Sequence, residues 1–256
     1  MTISALVLAK NEEEMIEGCL KQLNFANEII VLDQNSTDNT LKIVRKYTDR
    51  IFKSSANDFA QNRNTLKDQA KSKWLLYVDA DERLSQELIK EIKIAISKNE
   101  CSAFYIPRKN YVLGKWVRHG GWWPDYAPRL FAKSKLEKWQ GVVHESPIIS
   151  GKIGYLKTPI EHLSARSMLQ MFSKSINWAK IEAELMSKSK KPKVNIPTIA
   201  KAATKEFISR YFGKLGFLDG AVGLIEGIYQ ALHQSIILTY LWEIQNNFKR
   251  KVRHNE

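Results

Sequence analysis

Carboxylates follow two short apolar runs of the sequence, at places where a strand would end. Asp79 and Asp81 come directly after the apolar residues 74–78, and Asp33 follows the run 28–32, whose last four residues are apolar. Two carboxylates one residue apart at a strand end can face the same ligand, one binding a hard divalent ion and the other holding a ribose or the ion's waters. The alternative is an exposed acidic turn that caps the next helix, since a chain of this length contains about one Asp-x-Asp triplet by chance.

Apolar runs and helical stripes alternate over the first hundred residues and predict the elements that position these carboxylates. Strands are predicted at residues 3–8, 28–32, 51–53, 74–78 and 103–107. Helices are predicted at about residues 12–23, 38–47, 59–70 and 85–98. The alternation implies an α/β fold with a doubly wound parallel sheet and right-handed crossovers.

Ligands of such sheets bind beyond the carboxyl ends of the strands. Residues 10–12, 33–38 and 79–82 are polar clusters that follow three of the predicted strands, so we expect them to converge at one edge. Two of the clusters are acidic, although the chain has 40 Lys and Arg against 27 Asp and Glu and a formal net charge of +13. Such a charge favours anionic partners, meaning nucleic acid, phosphorylated substrates or acidic lipid surfaces.

Four segments resemble the successive signatures of glycosyltransferase family 2. They are residues 6–12, 31–38, 63–64 and 78–82, in the order and at the spacing of that family. Residues 123–131 and 141–145 further resemble a subgroup that includes the lipopolysaccharide inner-core β-1,4-glucosyltransferases, and the similarity extends over most of the chain. The resemblance implies a GT-A fold, a Rossmann-like sheet that binds a nucleoside-diphosphate sugar, and a transfer that inverts the anomeric centre.

The resemblance also implies which residues contact the donor. The nucleotide base and ribose are assigned to Ala9, Glu12 and Asp33, with Arg63 nearby. Asp79 would contact the ribose or metal-bound water, and Asp81 would ligate Mg²⁺ or Mn²⁺. The ion would neutralise the diphosphate leaving group. The base of the donor is expected to be uracil, with guanine and adenine left open.

An inverting displacement also needs a general base that takes the proton of the acceptor hydroxyl. Asp125 and Glu145 are the candidates, and Asp125 is favoured because the resemblance places the base after the loop of residues 120–123. For each carboxylate the alternative is a surface group paired with Arg or Lys. Arg129 is expected to grip the diphosphate bidentately or only to neutralise Asp125.

Two histidines are candidates for completing the metal site. His144, beside Glu145, is the first candidate, and His162 is the reserve for the same role. A lone histidine is otherwise more often simply hydrogen-bonded in the core.

The catalytic domain is expected at residues 1–165, with a nucleotide-sugar-binding half at 1–107 and an acceptor-side half at 108–165. Residues 166–256 are expected to form a basic, helical extension. Its uncharged apolar part, residues 227–242, is shorter than the ~20 residues of a spanning helix, so a helix lying in an anionic membrane interface is favoured. A core helix packed on the sheet is the alternative. The acceptor would be a lipid-linked or lipopolysaccharide glycan at the inner face of the cytoplasmic membrane.

The strong positive charge and the α/β pattern are also compatible with two other functions. A sugar nucleotidyltransferase needs a glycine-rich phosphate loop after the first strand, and residues 8–12 contain no glycine. A nucleic-acid-binding protein would explain the charge, but no such motif is present, so no nucleic-acid partner is expected. The first residues lack the basic start of a signal peptide, and two cysteines are too few for a disulfide framework, which favours the cytoplasm.

Overall fold

The computed structural model describes residues 1–56, 58–141, 145–165, 167–189 and 192–246. Its helices are α1 (Ile16–Lys21), α2 (Thr40–Val44), α3 (Phe59–Gln69), α4 (Gln86–Lys98), α5 (Met168–Lys188), α6 (Ile196–Ile208) and α7 (Gly220–Gln245). Its strands are β1 (Ile3–Ala9), β2 (Glu28–Asp33), β3 (Ile51–Lys53), β4 (Trp74–Asp79), β5 (Glu82–Arg83), β6 (Ala103–Val112), β7 (Lys115–Trp116), β8 (Asp125–Ala132), β9 (Leu136–Gln140), β10 (Ser146–Ile149), β11 (Ile153–Tyr155) and β12 (Ile160–Ala165).

The chain divides into two compact units. The first consists of Met1–Lys109 and Pro124–Leu163, and the second of Asn110–Trp123 and the described residues from Ser164 onward. The expected boundary at residue 165, between the catalytic domain and the helical extension, is not tested by this division and stays a proposal.

The main sheet has the strand order β3-β2-β1-β4-β8-β6-β12-β5. β1, β2, β3 and β4 are parallel, which confirms the predicted doubly wound half. β8 lies between β4 and β6 and is antiparallel to both, so the sheet is mixed rather than wholly parallel. The strand prediction at 103–107 was too short because β6 continues to Val112, where β7 pairs back on it.

Alternate residues of the central strands enter two cores, one on each face of the first unit's sheet. Ala5 and Val7 of β1 pack with the buried residues of α1 and α4, whereas Leu6 and Leu8 pack with Leu66 of α3 and with β9. Successive side chains of a strand point to opposite faces, so a strand covered on both sides is apolar throughout. This double burial explains why the strands could be recognised as continuous apolar runs.

Two predicted helices are shorter than expected. The helix predicted from residue 12 begins at Ile16, and the one predicted from residue 38 begins at Thr40. The residues before each helix form loops whose backbone groups are bonded across to the other loop, for example Glu13 N–H to Asp38 Oδ2 at 3.1 Å. These backbone N–H groups have hydrogen-bond acceptors in the other loop, so the helix does not need to begin earlier to provide them.

The second unit is built from α5, α6 and α7 and two small apolar cores. One core joins Val112, Val117 and Ala165 to Met171 of α5 and Tyr229 of α7, and the other lies around Leu238 and Leu241 of α7. None of the helices in the described part of the chain combines the length and hydropathy that crossing a bilayer requires. The helical character predicted for residues 166–256 is confirmed over the described residues.

Candidate active site

The carboxyl ends of β1, β2 and β4 meet at one edge of the sheet. Ala9 lies opposite Asp33 in the β1–β2 ladder, and Leu8 lies opposite Asp79 in the β1–β4 ladder. The neighbouring strands therefore bring Ala9, Asp33 and Asp79 side by side, which confirms that the polar clusters converge.

Asp33 is fully buried and shapes the loop that follows it. Its two carboxylate oxygens accept the backbone N–H of Ser36 at 3.3 and 3.2 Å. The N–H of Gln34 donates to the carbonyl of Ala9 at 2.9 Å and ties the same loop to β1. Asp33 is thus held in one position, and its contact with a nucleotide base stays a prediction.

The loops after β1 and β2 brace each other. Asn11 donates its N–H to Ser36 Oγ at 2.9 Å, and its side-chain oxygen accepts the N–H of Thr37 at 2.8 Å. The N–H of Glu12 donates to Thr40 Oγ1 at 2.8 Å. Asn11 has a φ of 53°, in the left-handed region that asparagine tolerates better than most residues. The half-buried Glu12 therefore sits on a fixed rim of the site.

Asp79 lies between two guanidinium groups. Arg63 Nη2 donates to Oδ1 at 3.4 Å, and Arg129 Nη2 donates to Oδ2. Burial alone would raise the pKa of Asp79, but the charges of Arg129 and Arg63 outweigh it and hold that pKa well below its usual range. The carboxylate keeps 29% of its side-chain surface exposed, so a ligand can still reach it.

Glu82 completes a buried network behind Asp79. One of its oxygens accepts from Arg129 Nη2 at 2.6 Å, and the other accepts the backbone N–H of Asp79 at 3.0 Å. The expectation that Arg129 neutralises Asp125 is therefore wrong, because this guanidinium bonds Asp79 and Glu82 instead. A contact between Arg129 and a diphosphate stays a prediction. The buried Nε of Arg129 has no hydrogen-bond partner among the described residues.

Asp81 and His162 place a carboxylate oxygen close to an imidazole nitrogen. β12 is antiparallel to β5, and His162 Nε2 lies 3.5 Å from Asp81 Oδ2. The N–H of Leu163 donates to the carbonyl of Asp81 at 2.9 Å and fixes this spacing. Two ligands at right angles around one ion, each with a bond of about 2.1 Å, lie about 3 Å apart, so the pair fits a single divalent ion.

His144, the first histidine candidate, lies outside the described residues. Within the described ranges, no group of three or more His, Cys, Asp or Glu side chains could hold a metal ion. A divalent ion on the Asp81–His162 pair would take its other ligands from water and substrate phosphates, as Mg²⁺ commonly does.

Both candidates for the general base are paired with an arginine. Arg108 lies opposite Asp125 in the β6–β8 ladder, and its Nε donates to Asp125 Oδ2 at 3.0 Å. Arg63 Nε donates to Glu145 Oε1 at 3.2 Å, so Arg63 joins Glu145 to Asp79. The arginine-paired alternative thus describes both carboxylates, and 26% and 19% of their side-chain surfaces stay exposed.

Helix α3 is anchored to the site through Arg63 and Asn64. The Arg63 guanidinium lies over the rings of Tyr77 and Trp139, 5.5 and 5.0 Å from their centroids, and the Tyr77 hydroxyl donates to the Arg63 carbonyl at 3.0 Å. Asn64 exchanges two hydrogen bonds with the backbone of Trp139, at 2.9 and 2.8 Å. The cation that serves Asp79 and Glu145 is therefore held by α3, β4 and β9 together.

Sequence reasoning missed two residues of this arrangement. Glu82 directly follows Asp81 in the motif, but nothing local shows that its side chain turns inward toward Arg129. Arg108 could have been found only from the β6–β8 register, which places it beside Asp125.

The sequence profile described as Glycosyl transferase family 2 matches residues 4–162. A Rickettsia conorii protein described as an uncharacterized glycosyltransferase is 25% identical over 261 residues, covering 94% of this chain and 90% of that protein. The lipopolysaccharide core biosynthesis glycosyltransferase LpsC of Rhizobium meliloti is 23% identical, covering 95% of this chain and 93% of LpsC.

Among solved structures, TarS 1–349 of S. aureus in complex with UDP-GlcNAc superposes with a TM-score of 0.50. The two sequences are 15% identical, and the match covers 96% of this chain and 92% of TarS 1–349. This likeness confirms the GT-A fold. With the family profile spanning the sheet edge and the site upon it, the chain belongs to glycosyl transferase family 2 and is a glycosyltransferase.

Proposed function

We propose that this enzyme transfers a sugar, with inversion, from a UDP-sugar to a lipid-linked glycan of the cell envelope such as a lipopolysaccharide core. The observation that carries the proposal is Asp79, held between two arginines at the sheet edge, beside the Asp81–His162 pair. Carboxylates that can accept from ribose hydroxyls, next to a metal-ligand pair that can meet phosphates, suit a nucleoside-diphosphate sugar.

The donor's nucleoside lies against the braced loops after β1 and β2. Ala9, Glu12 and Asp33 border the base and ribose, and Arg63 neutralises charge beside them. Asp79 accepts a hydrogen bond from the ribose or from a metal-bound water. TarS has the same fold and is bound to UDP-GlcNAc, which makes a UDP-sugar the first donor to test.

Asp81 and His162 hold Mg²⁺ or Mn²⁺, with His144 as a further candidate ligand. A divalent ion bound there would supply Lewis-acid stabilisation to the diphosphate leaving group. Arg129 adds positive charge at the same edge while it keeps Asp79 in place.

Asp125 takes the proton of the acceptor hydroxyl as the new bond to the anomeric carbon forms and UDP leaves. Arg108 orients Asp125 through Nε and Nη2. Arg108 is also one of the positive charges that lower the pKa of Asp79. Glu145 is the second candidate and shares Arg63 with Asp79.

The acceptor is proposed from LpsC, whose described role is in lipopolysaccharide core biosynthesis. A lipid-linked acceptor places the enzyme on the inner face of the cytoplasmic membrane, bound peripherally through the basic extension of residues 166–256. Residues 1–165 form the catalytic part in this proposal.

Calorimetric titration of UDP, GDP and ADP, with and without Mn²⁺, tests the donor site. We expect Mn²⁺-dependent binding of UDP by the parent protein and binding weaker by about tenfold or more in Asp81→Ala, which removes a metal ligand. Asp68→Ala is the matched control, because Asp68 is an exposed carboxylate on α3, and it should bind UDP like the parent. A folded parent protein that binds none of the three nucleotides in the presence of Mn²⁺ would rule the proposal out.

A further inference from the structure

The segment between α6 and α7 exposes large apolar side chains. We define the apolar ridge as Phe212, Leu215, Phe217 and Leu218. Phe212 and Leu218 are each 56% exposed, and Leu215 and Phe217 are nearly as open. The rings of Phe212 and Phe217 both contact the Tyr211 ring, with centroids 5.0 and 6.2 Å away, so the ridge is one continuous surface.

The second unit holds this ridge rigidly. The carboxylate of Asp219, at the end of the ridge, accepts the backbone N–H groups of Arg118 and His119 at 3.0 and 2.8 Å. Gly216 is buried so tightly that an added Cβ would lie 2.8 Å from the carbonyl oxygen of Arg210. A segment pinned in this way cannot fold its apolar side chains inward, so Phe217 and Leu218 stay displayed.

The exposed charges of α6 and of the segment that follows it are mostly positive. Lys201, Lys205 and Lys214 are exposed. The stretch from Ile196 to Trp242 has three carboxylates, and none of them offsets these cations at the surface. Asp219 and Glu226 are buried, and Glu206 is paired with Arg210 at 2.5 Å.

The helix that follows continues the apolar exposure. Leu224, Ile228 and Leu232 of α7 are spaced four residues apart and lie on one exposed stripe, each about as open as Phe217. Gly227, between the first two in sequence, packs against the ring of Phe207 and the Cβ of Tyr211. Exposed apolar side chains close in sequence to exposed lysines are the combination that interfacial binding surfaces present.

We propose that the apolar ridge and the α7 stripe bind an anionic phospholipid bilayer, with Phe217 and Leu218 entering the acyl region and Lys201, Lys205 and Lys214 meeting lipid phosphates. A rigid apolar surface with a cationic border has the character of interfacial membrane elements. The inference rests on the proposed function, because a membrane contact would bring the enzyme to a lipid-linked acceptor. It adds the segment of the chain that makes this contact.

Sedimentation with phosphatidylcholine vesicles, with and without phosphatidylglycerol, tests the surface. The parent protein should bind the anionic vesicles and be released by salt. Leu218→Ser should weaken binding about tenfold, because a large aliphatic side chain leaves the lipid. Ile94→Ser is the matched control, since Ile94 on α4 is 57% exposed, and it should bind like the parent.

The cationic border is tested in the same assay. Lys205→Glu should weaken binding to anionic vesicles about fivefold or more, whereas Lys90→Glu, at an exposed position of α4, should leave it unchanged. Equal losses in the two lysine variants would mean that net charge alone drives binding, and the ridge assignment would fall.

Calorimetric UDP binding, measured on the same preparations, separates this inference from the proposed function. Vesicle binding that is lost in Leu218→Ser while UDP binding stays intact supports the ridge. A parent protein that binds UDP but no anionic vesicle overturns the ridge and leaves the donor site standing. Self-association that disappears in Leu218→Ser, without any vesicle binding, would show that a second copy covers the ridge instead.

Discussion

Arg63 serves two carboxylates that have different proposed roles. Its Nη2 faces Asp79, its Nε faces Glu145, and the rings of Tyr77 and Trp139 hold the guanidinium in place. Because Asp79 and Glu145 share one buried guanidinium, substituting either carboxylate changes the electrostatic interaction of Arg63 with the other. We therefore expect substitutions at Asp79 and Glu145 to be non-additive in their effects on donor binding.

Asp79→Asn should make the protein less sensitive to acid. The lowered pKa of Asp79 means that its stabilising contribution is fully present above the ordinary carboxyl pKa of about 3.9 and is lost as the pH falls toward the folded-state value. At neutral pH the variant should lose about 2 to 4 kcal/mol of unfolding free energy. This deficit should hold down to about pH 5 and shrink below about pH 4.

Urea unfolding at a series of pH values measures this difference. Asp68→Asn, at an exposed position of α3, is the control and should remain close to the parent protein throughout. A deficit in Asp79→Asn that stays constant into strong acid would show that the two arginines do not act on this carboxylate as the structure indicates.

At the scale of elements, side chains of α3 hydrogen-bond to the backbone of β9, and Asn64 makes two of these bonds. The Asn64 side-chain amide donates to the Trp139 carbonyl and accepts the Trp139 N–H. It therefore binds both backbone groups of this residue, as a neighbouring strand would. β9 continues through its ladder with β10, whose first residue, Ser146, directly follows Glu145. The position of this candidate base therefore depends on how firmly β9 is held.

Asn64→Ala should lower the unfolding free energy by about 1 to 3 kcal/mol, because two backbone groups of Trp139 lose their partner. Gln61→Ala, at an exposed position of the same helix, should change it by less than about 0.5 kcal/mol. Urea unfolding of the two variants provides the comparison. Equal stability of Asn64→Ala and the parent protein would contradict the bridging role.

The elements that the sequence predicts well are those with a strong local signal. β1, β4 and most of β2 are buried on both faces, so their apolar runs end within a residue of the structure. Ser85 caps α4 through its Oγ, which accepts the N–H of Leu88, and the helix begins one residue after its predicted start. The convergence of Asp33 and Asp79 then followed from parallel pairing alone.

Features that depend on distant pairing could not be predicted. The antiparallel insertion of β8 between β4 and β6 has no local signature, and it decides that Asp125 meets Arg108. The predicted starts of α1 and α2 are too early because the residues before each helix form loops that hydrogen-bond to one another. The Asn11 N–H, for example, donates to Ser36 Oγ, 25 residues away in the sequence. The pairing of Arg129 with Glu82 likewise depends on a side-chain direction that sequence alone does not give.

At the scale of the whole molecule, the two units are interleaved along the chain. Val112, Val117 and Trp122 come from the middle of the sequence, yet they pack with Met171 and Tyr229 of the later helices. Ending the chain at residue 165 removes these helices and exposes the apolar side chains that they cover. The proposed catalytic part of residues 1–165 is therefore expected to depend on the extension for its stability.

A chain ending at residue 165 should aggregate, or should bind a hydrophobic dye and unfold without a cooperative transition. A chain ending at Asn246, which keeps every described residue, is the control and should unfold cooperatively. Urea unfolding monitored by circular dichroism distinguishes the two. Cooperative unfolding of the shorter chain would instead show that the boundary proposed at residue 165 divides autonomous domains.

Cys19 of α1 lies directly beneath the donor-binding edge. Its thiol donates to the carbonyl of Asp79 at 3.5 Å, it is fully buried, and burial raises its pKa far above the usual range. A thiol in this state reacts only when the edge opens. The rate at which a thiol reagent labels Cys19 therefore measures how often this edge of the sheet opens. A bound nucleotide should lower that rate, and the labelling rate of the half-buried Cys101 provides the reference.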